Sequence, residues 1–190
     1  MFFPQPRDTT NIFNPSEFAC NECCSSGSSS SSSVVVPTTP TVAFSVVWNG
    51  ANYPIYVGGG APTLVAFDTK PIDTTSRFNA TAATVGGIPA YSFLPLVAGY
   101  YQINNVVTFE NLSTGVCPLT LQLYKNGVLY KRGVQNQGYT SNSIIQTASM
   151  SALVYLNGTT DYIQIFAGSA SVGTILEGIY NYFDGILISS

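Results

Sequence analysis

Three cysteines stand within five residues, Cys20, Cys23 and Cys24 in the run CNECC, and a fourth, Cys117, stands alone before Pro118. A thiolate cluster of this density suits zinc or disulfide chemistry. Structural zinc takes four ligands, and a chain without histidine would have to complete the set with Glu22 or with a second chain. Disulfide or other covalent cross-linking between copies therefore ranks above metal, with free thiols close behind. Cys117 reads as a small buried hydrophobe.

The absence of histidine removes the Ser-His and Cys-His nucleophile systems together with the commonest metal ligand. Two carboxylates alone can hydrolyse a glycoside, which brings Asp68, Asp73, Glu110, Asp161, Glu177 and Asp184 into consideration. None of them sits in a recognisable motif, and solvated acids at element ends are the plainer reading. Gly58-Gly59-Gly60 lacks the lysine and the following helix of a phosphate loop, and reads as a surface turn. No acidic loop of calcium-binding type occurs. The sequence thus leads to the expectation of a non-enzyme without cofactor or metal.

Charged residues make up 8% of the 190, with six Lys and Arg and a net charge of −3. Six cations cannot track a run of phosphates, so nucleic acid is not an expected partner. No stretch of 18 apolar residues occurs, and no membrane insertion is expected. The opening MFFPQPRDTT does not read as a secretory signal. Asn79, Asn111 and Asn157 begin N-x-S/T triplets, which a chain this rich in Asn, Ser and Thr produces by chance.

What must position any functional residue is a chain in three parts. Residues 1–24 have no helical or alternating period and carry Pro4, Pro6 and Pro15 among Phe2, Phe3, Phe13 and Phe18. This is an extended arm, either a tail or a docking segment whose phenylalanines fill pockets on a partner, since large apolar side chains are costly in water. Residues 25–41 form a linker, with eight serines and Gly27 between Ser25 and Ser33, followed by proline-punctuated VVVPTTPTV. Residues 42–190 are the head.

The head reads as short β runs separated by turns: Val42–Trp48, Tyr53–Val57, Thr63–Asp68, Gly99–Phe109, Leu119–Lys125, Val128–Arg132, Ser143–Tyr155, Asp161–Ala167 and Tyr182–Ile188. Leu119, Leu121 and Leu123 alternate with polar residues, which marks a sheet with one face in a core. Asn126-Gly127 between two such runs predicts a type I′ hairpin turn. Many short strands and no sustained helical period point to an all-β antiparallel sandwich or jelly roll.

Five segments in order then resemble the globular head of the complement first-component-q and tumour necrosis factor superfamily. These are the opening Ala43-Phe44-Ser45-Val46, Gly99-Tyr100-Tyr101 at the start of a central strand, and the hairpin Leu123, Lys125, Asn126, Gly127. The strand-turn-strand from Ser143 through Gly158 and Asp161 follows, then the closing Phe183, Gly185 and Leu187. Gly58–Pro95 matches poorly, and no collagen-like repeat precedes the head. The resemblance implies a TNF-like jelly roll on an extended N-terminal arm. It also implies a homotrimer with aromatics along the threefold axis, for which Tyr100, Tyr101 and Phe183 are the interface candidates, against the plainer reading that they fill the protomer's own core.

Arm, tether and trimer-type head together lead to the expectation of a virion structural protein, a minor capsid, fibre or decoration component. Its partners would be capsid or other large-assembly proteins held through the arm. The alternative is an extracellular or spore-surface recognition module that binds carbohydrate or protein. The loop Gly133–Asn142, with Gln137 and Tyr139, would then make adaptable contacts with glycans.

Overall fold

The computed structural model describes residues 41–50, 53–55, 62–111, 118–133, 144–169, 173–176 and 178–190. The chain divides after Thr38, and the head occupies Thr39–Ser190. Phe2, Phe3, Phe13, Phe18, Cys20, Cys23, Cys24, Gly58–Gly60, Cys117, Gln137 and Tyr139 lie outside the described residues.

Every regular element described in the head is a strand. In chain order they are β1 (Ala43–Trp48), β2 (Tyr53–Ile55), β3 (Thr63–Leu64), β4 (Thr69–Asp73), β5 (Phe78–Asn79), β6 (Ser92–Phe93) and β7 (Gly99–Asn111). They continue with β8 (Leu119–Lys125), β9 (Val128–Arg132), β10 (Ile144–Leu156), β11 (Ile163–Ser169), β12 (Gly173–Ile175) and β13 (Gly178–Ser189). No described helix is long and apolar enough to cross a membrane.

Two antiparallel sheets face each other. β7 is the spine of the first, pairing along its whole length with β10 on one side and with β13 and then β12 on the other. β1 extends this sheet beyond β13, β4 lies outside β1, and β2 lies outside β12. The second sheet runs β5, β6, β11, β8, β9, and β3 shares the β6 side of β11.

The side-chain period of two divides each strand between the core and the other face. Phe44 and Val46 of β1, Tyr101, Ile103, Val107 and Phe109 of β7, and Phe183 of β13 point inward and are buried. They meet Leu119, Leu121 and Leu123 of β8 and Ile163, Ile165 and Ala167 of β11. Burial of each large side chain of this kind contributes about 1.5–3 kcal/mol. One aromatic cluster joins the sheets: the Phe44 ring lies 4.2 Å from Phe93 and 4.9 Å, edge to face, from Phe183. Gly185 makes room for it, since a Cβ there would lie 2.2 Å from the Phe44 ring.

The turns are closed by polar side chains. Asn126 and Gly127 both take positive φ, 53° and 75°, as the type I′ turn requires. The Asp161 carboxylate accepts from Asn126 Nδ2 at 2.7 Å, from the Asn157 amide at 3.1 Å and from Lys125 Nζ at 2.8 Å. Asn126 Oδ1 in turn accepts from the Tyr162 amide. The β8–β9 hairpin is thereby latched to the loop between β10 and β11. Asp73 similarly accepts from the amides of Arg77 and Phe78 and pairs with Lys70.

Candidate functional site: the outward face of the β7 sheet

An antiparallel sheet with one face in the core is ordinarily polar on the other. The β7 sheet departs from this in a patterned way. Its register lines up rows of outward side chains across the strands. One row reads Tyr155 of β10 beside Tyr100 of β7, with their rings 5.4 Å apart in an edge-to-face pair. The next reads Leu153, Gln102, Ile186 and Ala43. Then comes a polar belt, Ser151, Asn104, Asp184 and Ser45, ending on Ile72 of β4. Beyond it lie Ser149, Val106, Tyr182 and Val47, then Thr147 and Thr108, and finally Ile145 beside Glu110.

Tyr100, Leu153, Tyr155, Ile186 and Ile188 therefore form an apolar group at one end of the sheet, with Tyr180 and Ile145 exposed toward the other at 66% and 62%. Scattered exposed hydrophobics are ordinary, but neighbouring ones gathered on one sheet face mark a contact surface. A second apolar patch lies on β9, an edge strand of the opposite sheet, where Val128, Leu129 and Tyr130 are exposed. The Tyr130 hydroxyl donates to the Leu153 carbonyl, which places this edge against β10.

The interface candidates named from sequence separate here. Tyr100 is half exposed on the outward face. Tyr101 and Phe183 are 0% exposed and belong to the protomer's core, so neither can touch another copy. Adjacent strand residues point to opposite faces, so Tyr100 and Tyr101 cannot both be outward. Burial pushes the Tyr101 hydroxyl up to about 12, and it donates to the Val97 carbonyl at 2.8 Å. Sequence reasoning passed over Leu153, Tyr155, Tyr180 and Ile186. Their signal was an outward parity shared across three strands, which needs the register to be read.

Inside the belt, burial raises the pKa of Asp184, which a hydrogen bond from Ser45 offsets in part. Three other carboxylates hold turns: Asp68 accepts from the Asn49 amide, and Asp73 and Asp161 are bonded as described above. Burial pushes the Asp161 carboxyl up, but its bonds from Lys125, Asn126 and the Asn157 amide, with the charge of Lys125, bring it below the ordinary carboxylate value. Two sequon asparagines are likewise structural. Asn79 is buried and its Nδ2 donates to the carbonyls of Ala83, Ile88 and Pro89, and the Asn157 side chain folds over residues 159–161.

On the inward side of this sheet Asn105 of β7 and Gln146 of β10 are nearly fully buried, and neither amide has a hydrogen-bond partner among the described residues. A buried unsatisfied amide costs about 1–3 kcal/mol, so each calls for an explanation.

These two packed sheets define the head as a tumour necrosis factor-like jelly roll. The solved structures it is similar to include Eiger TNF from S. frugiperda, at a TM-score of 0.54 and 11% identity over 79% of this chain and 94% of that one. Murine APRIL at pH 5.0 is similar at a TM-score of 0.54 and 11% identity, over 78% of this chain and 99% of that one. The likeness at this identity is one of fold. No protein-family model matches the sequence, and no curated protein matches it.

Proposed function

We propose that the head is a non-catalytic module that works as a homotrimer, built by packing the outward face of the β7 sheet against a neighbouring copy. The observation that carries this is the gathering of Tyr100, Leu153, Tyr155, Tyr180 and Ile186 on that one face. The separate patch on β9 favours a ring over a twofold dimer. A face that packs on a different patch makes a heterologous contact, and such contacts satisfy every copy only by closing around an axis. The jelly-roll likeness and the aromatic-rich composition agree with this reading.

The finer proposal is that the trimer projects from a virion shell, with the arm docked through its phenylalanines and the serine-rich segment as tether. Its support is the order of arm, tether and head along the sequence.

Light scattering on the purified chain should give three times its 20.2 kDa mass at micromolar concentration. Leu153→Asp on the face and Val128→Asp on the edge should each lower that mass to the single chain while leaving the far-ultraviolet circular dichroism unchanged. A wild-type mass of one chain would end the trimer reading. Deletion of residues 1–33 should leave the trimer intact and abolish its incorporation into particles; incorporation at normal levels would end the docking reading.

A further inference from the structure

Three Asn-Gly steps occur in the chain, Asn49-Gly50, Asn126-Gly127 and Asn157-Gly158, and all three lie among the described residues. They share one chemistry. The glycine nitrogen can attack the carbonyl carbon of the preceding asparagine side chain, and a residue without Cβ hinders that attack least. As sequence the three are equivalent, and the fold separates them.

The attack requires the asparagine side chain to turn until its Cγ lies over the next nitrogen. At Asn126 that turn would break the bond from Nδ2 to Asp161 at 2.7 Å and the bond that Oδ1 accepts from the Tyr162 amide at 2.9 Å. At Asn157 it would break more. There Oδ1 accepts from the amides of Thr159, Thr160 and Asp161 at 3.0, 2.9 and 2.9 Å, and Nδ2 donates to the Thr160 hydroxyl at 2.8 Å. Asn49 differs from both. It is exposed, one residue past the end of β1, and it is held through its backbone amide, which donates to Asp68 at 2.9 Å. Turning its side chain leaves that bond in place. The glycine beside it is dictated by packing, since a Cβ on Gly50 would lie 2.5 Å from the Trp48 ring.

We propose that Asn49 is a self-modification site, at which the folded chain deamidates. The Gly50 nitrogen gives its proton to solvent base and bonds to Asn49 Cγ; the Cγ–Nδ2 bond breaks, and ammonia leaves from a five-membered succinimide. Water then opens the ring at either carbonyl, giving aspartate or its β-linked isomer. Either product adds a negative charge to the residue whose amide binds the Asp68 carboxylate, and the β-linked isomer also lengthens the backbone there by one atom. Asp68 ties the end of β1 to the start of β4: its amide donates to the Val47 carbonyl, and its carboxylate accepts from the Asn49 amide and the Thr69 hydroxyl. The conversion therefore loosens the β1–β4 edge, slowly and in one direction.

The test is peptide mapping by mass spectrometry of the full chain, folded and in denaturant, through a long incubation in mildly alkaline buffer. In the folded chain a gain of one mass unit is expected at Asn49 at least tenfold faster than at Asn126 or Asn157, and in denaturant the three rates should converge. Incubated wild-type chain should melt at a lower temperature than fresh chain, whereas Asn49→Gln, whose extra methylene disfavours the ring, should not change on incubation. Equal rates at the three sites in the folded chain, or a slower rate at Asn49, would overturn the site. The same ranking in denaturant would overturn it too, by assigning the difference to local sequence. A converted chain with an unchanged melting temperature would overturn the loosening.

Discussion

Asp184 and Asp161 show how one side-chain type serves opposite ends on a surface with few charges. Asp161 is held ionised by the donors around it, so its contribution is present above the ordinary aspartate value of 3.8 and is lost only as pH falls through its lowered value. Asp184 has a raised value, so its contribution is full below 3.8 and is lost as pH rises through that raised value. Well above 3.8 the Asp161 contribution is full and does not change with pH, so there Asp184 sets the trend of this pair. The head should therefore gain stability on acidification from neutral pH toward 4, and Asp184→Asn should remove that gain; a melting temperature equally pH-dependent in the variant would contradict it. Asp161→Ala strips partners from Lys125, Asn126 and the Asn157 amide at once, and should cost about 2–3 kcal/mol in denaturant unfolding. Asn79, whose amide is wholly used inside the fold, should be found without glycan by mass spectrometry of protein from a glycosylating host.

Among the strands, Gly185→Ala is the sharpest test of how β13 packs. The added methyl would press on the Phe44 ring and on Ile103, and overpacking of this kind costs about 1–3 kcal/mol. An unchanged melting temperature would mean that Phe44 lies elsewhere. The long strands β7, β8 and β10 were legible in the sequence, because six or more alternating residues bounded by turns leave little choice of structure. So was the hairpin at Asn126-Gly127. The strands β4, β5, β6 and β12 were not. They span two to five residues, too short to show a period, and β4 carries Pro71, which an edge strand tolerates and a sequence pattern rejects. β13 starts at Gly178 rather than Tyr182, since GIYN has no alternation before the strand pairs with β7 and β1. The candidate face was half legible: Tyr100 was found, while Tyr101 and Phe183 were assigned by residue type where parity decided against them.

At the scale of the whole head, the register of β1 and β13 has a geometric consequence. Ala43, where the chain enters the sheet, pairs with Ile186, three residues before Ser189 ends it. Ser189 pairs with Tyr100, and Leu156 with Gly99, so both termini of the head sit at the Gly99 end of β7. The opposite end, at Asn111, is where Ile144 pairs, and it is reached after 13 residues of strand, about 40 Å away. The polypeptide thus has a root and a crown. A label carried at Ser190 would therefore ride at the root, at the end of the sheet where Ala43 enters, and about 40 Å from one carried at Ile144.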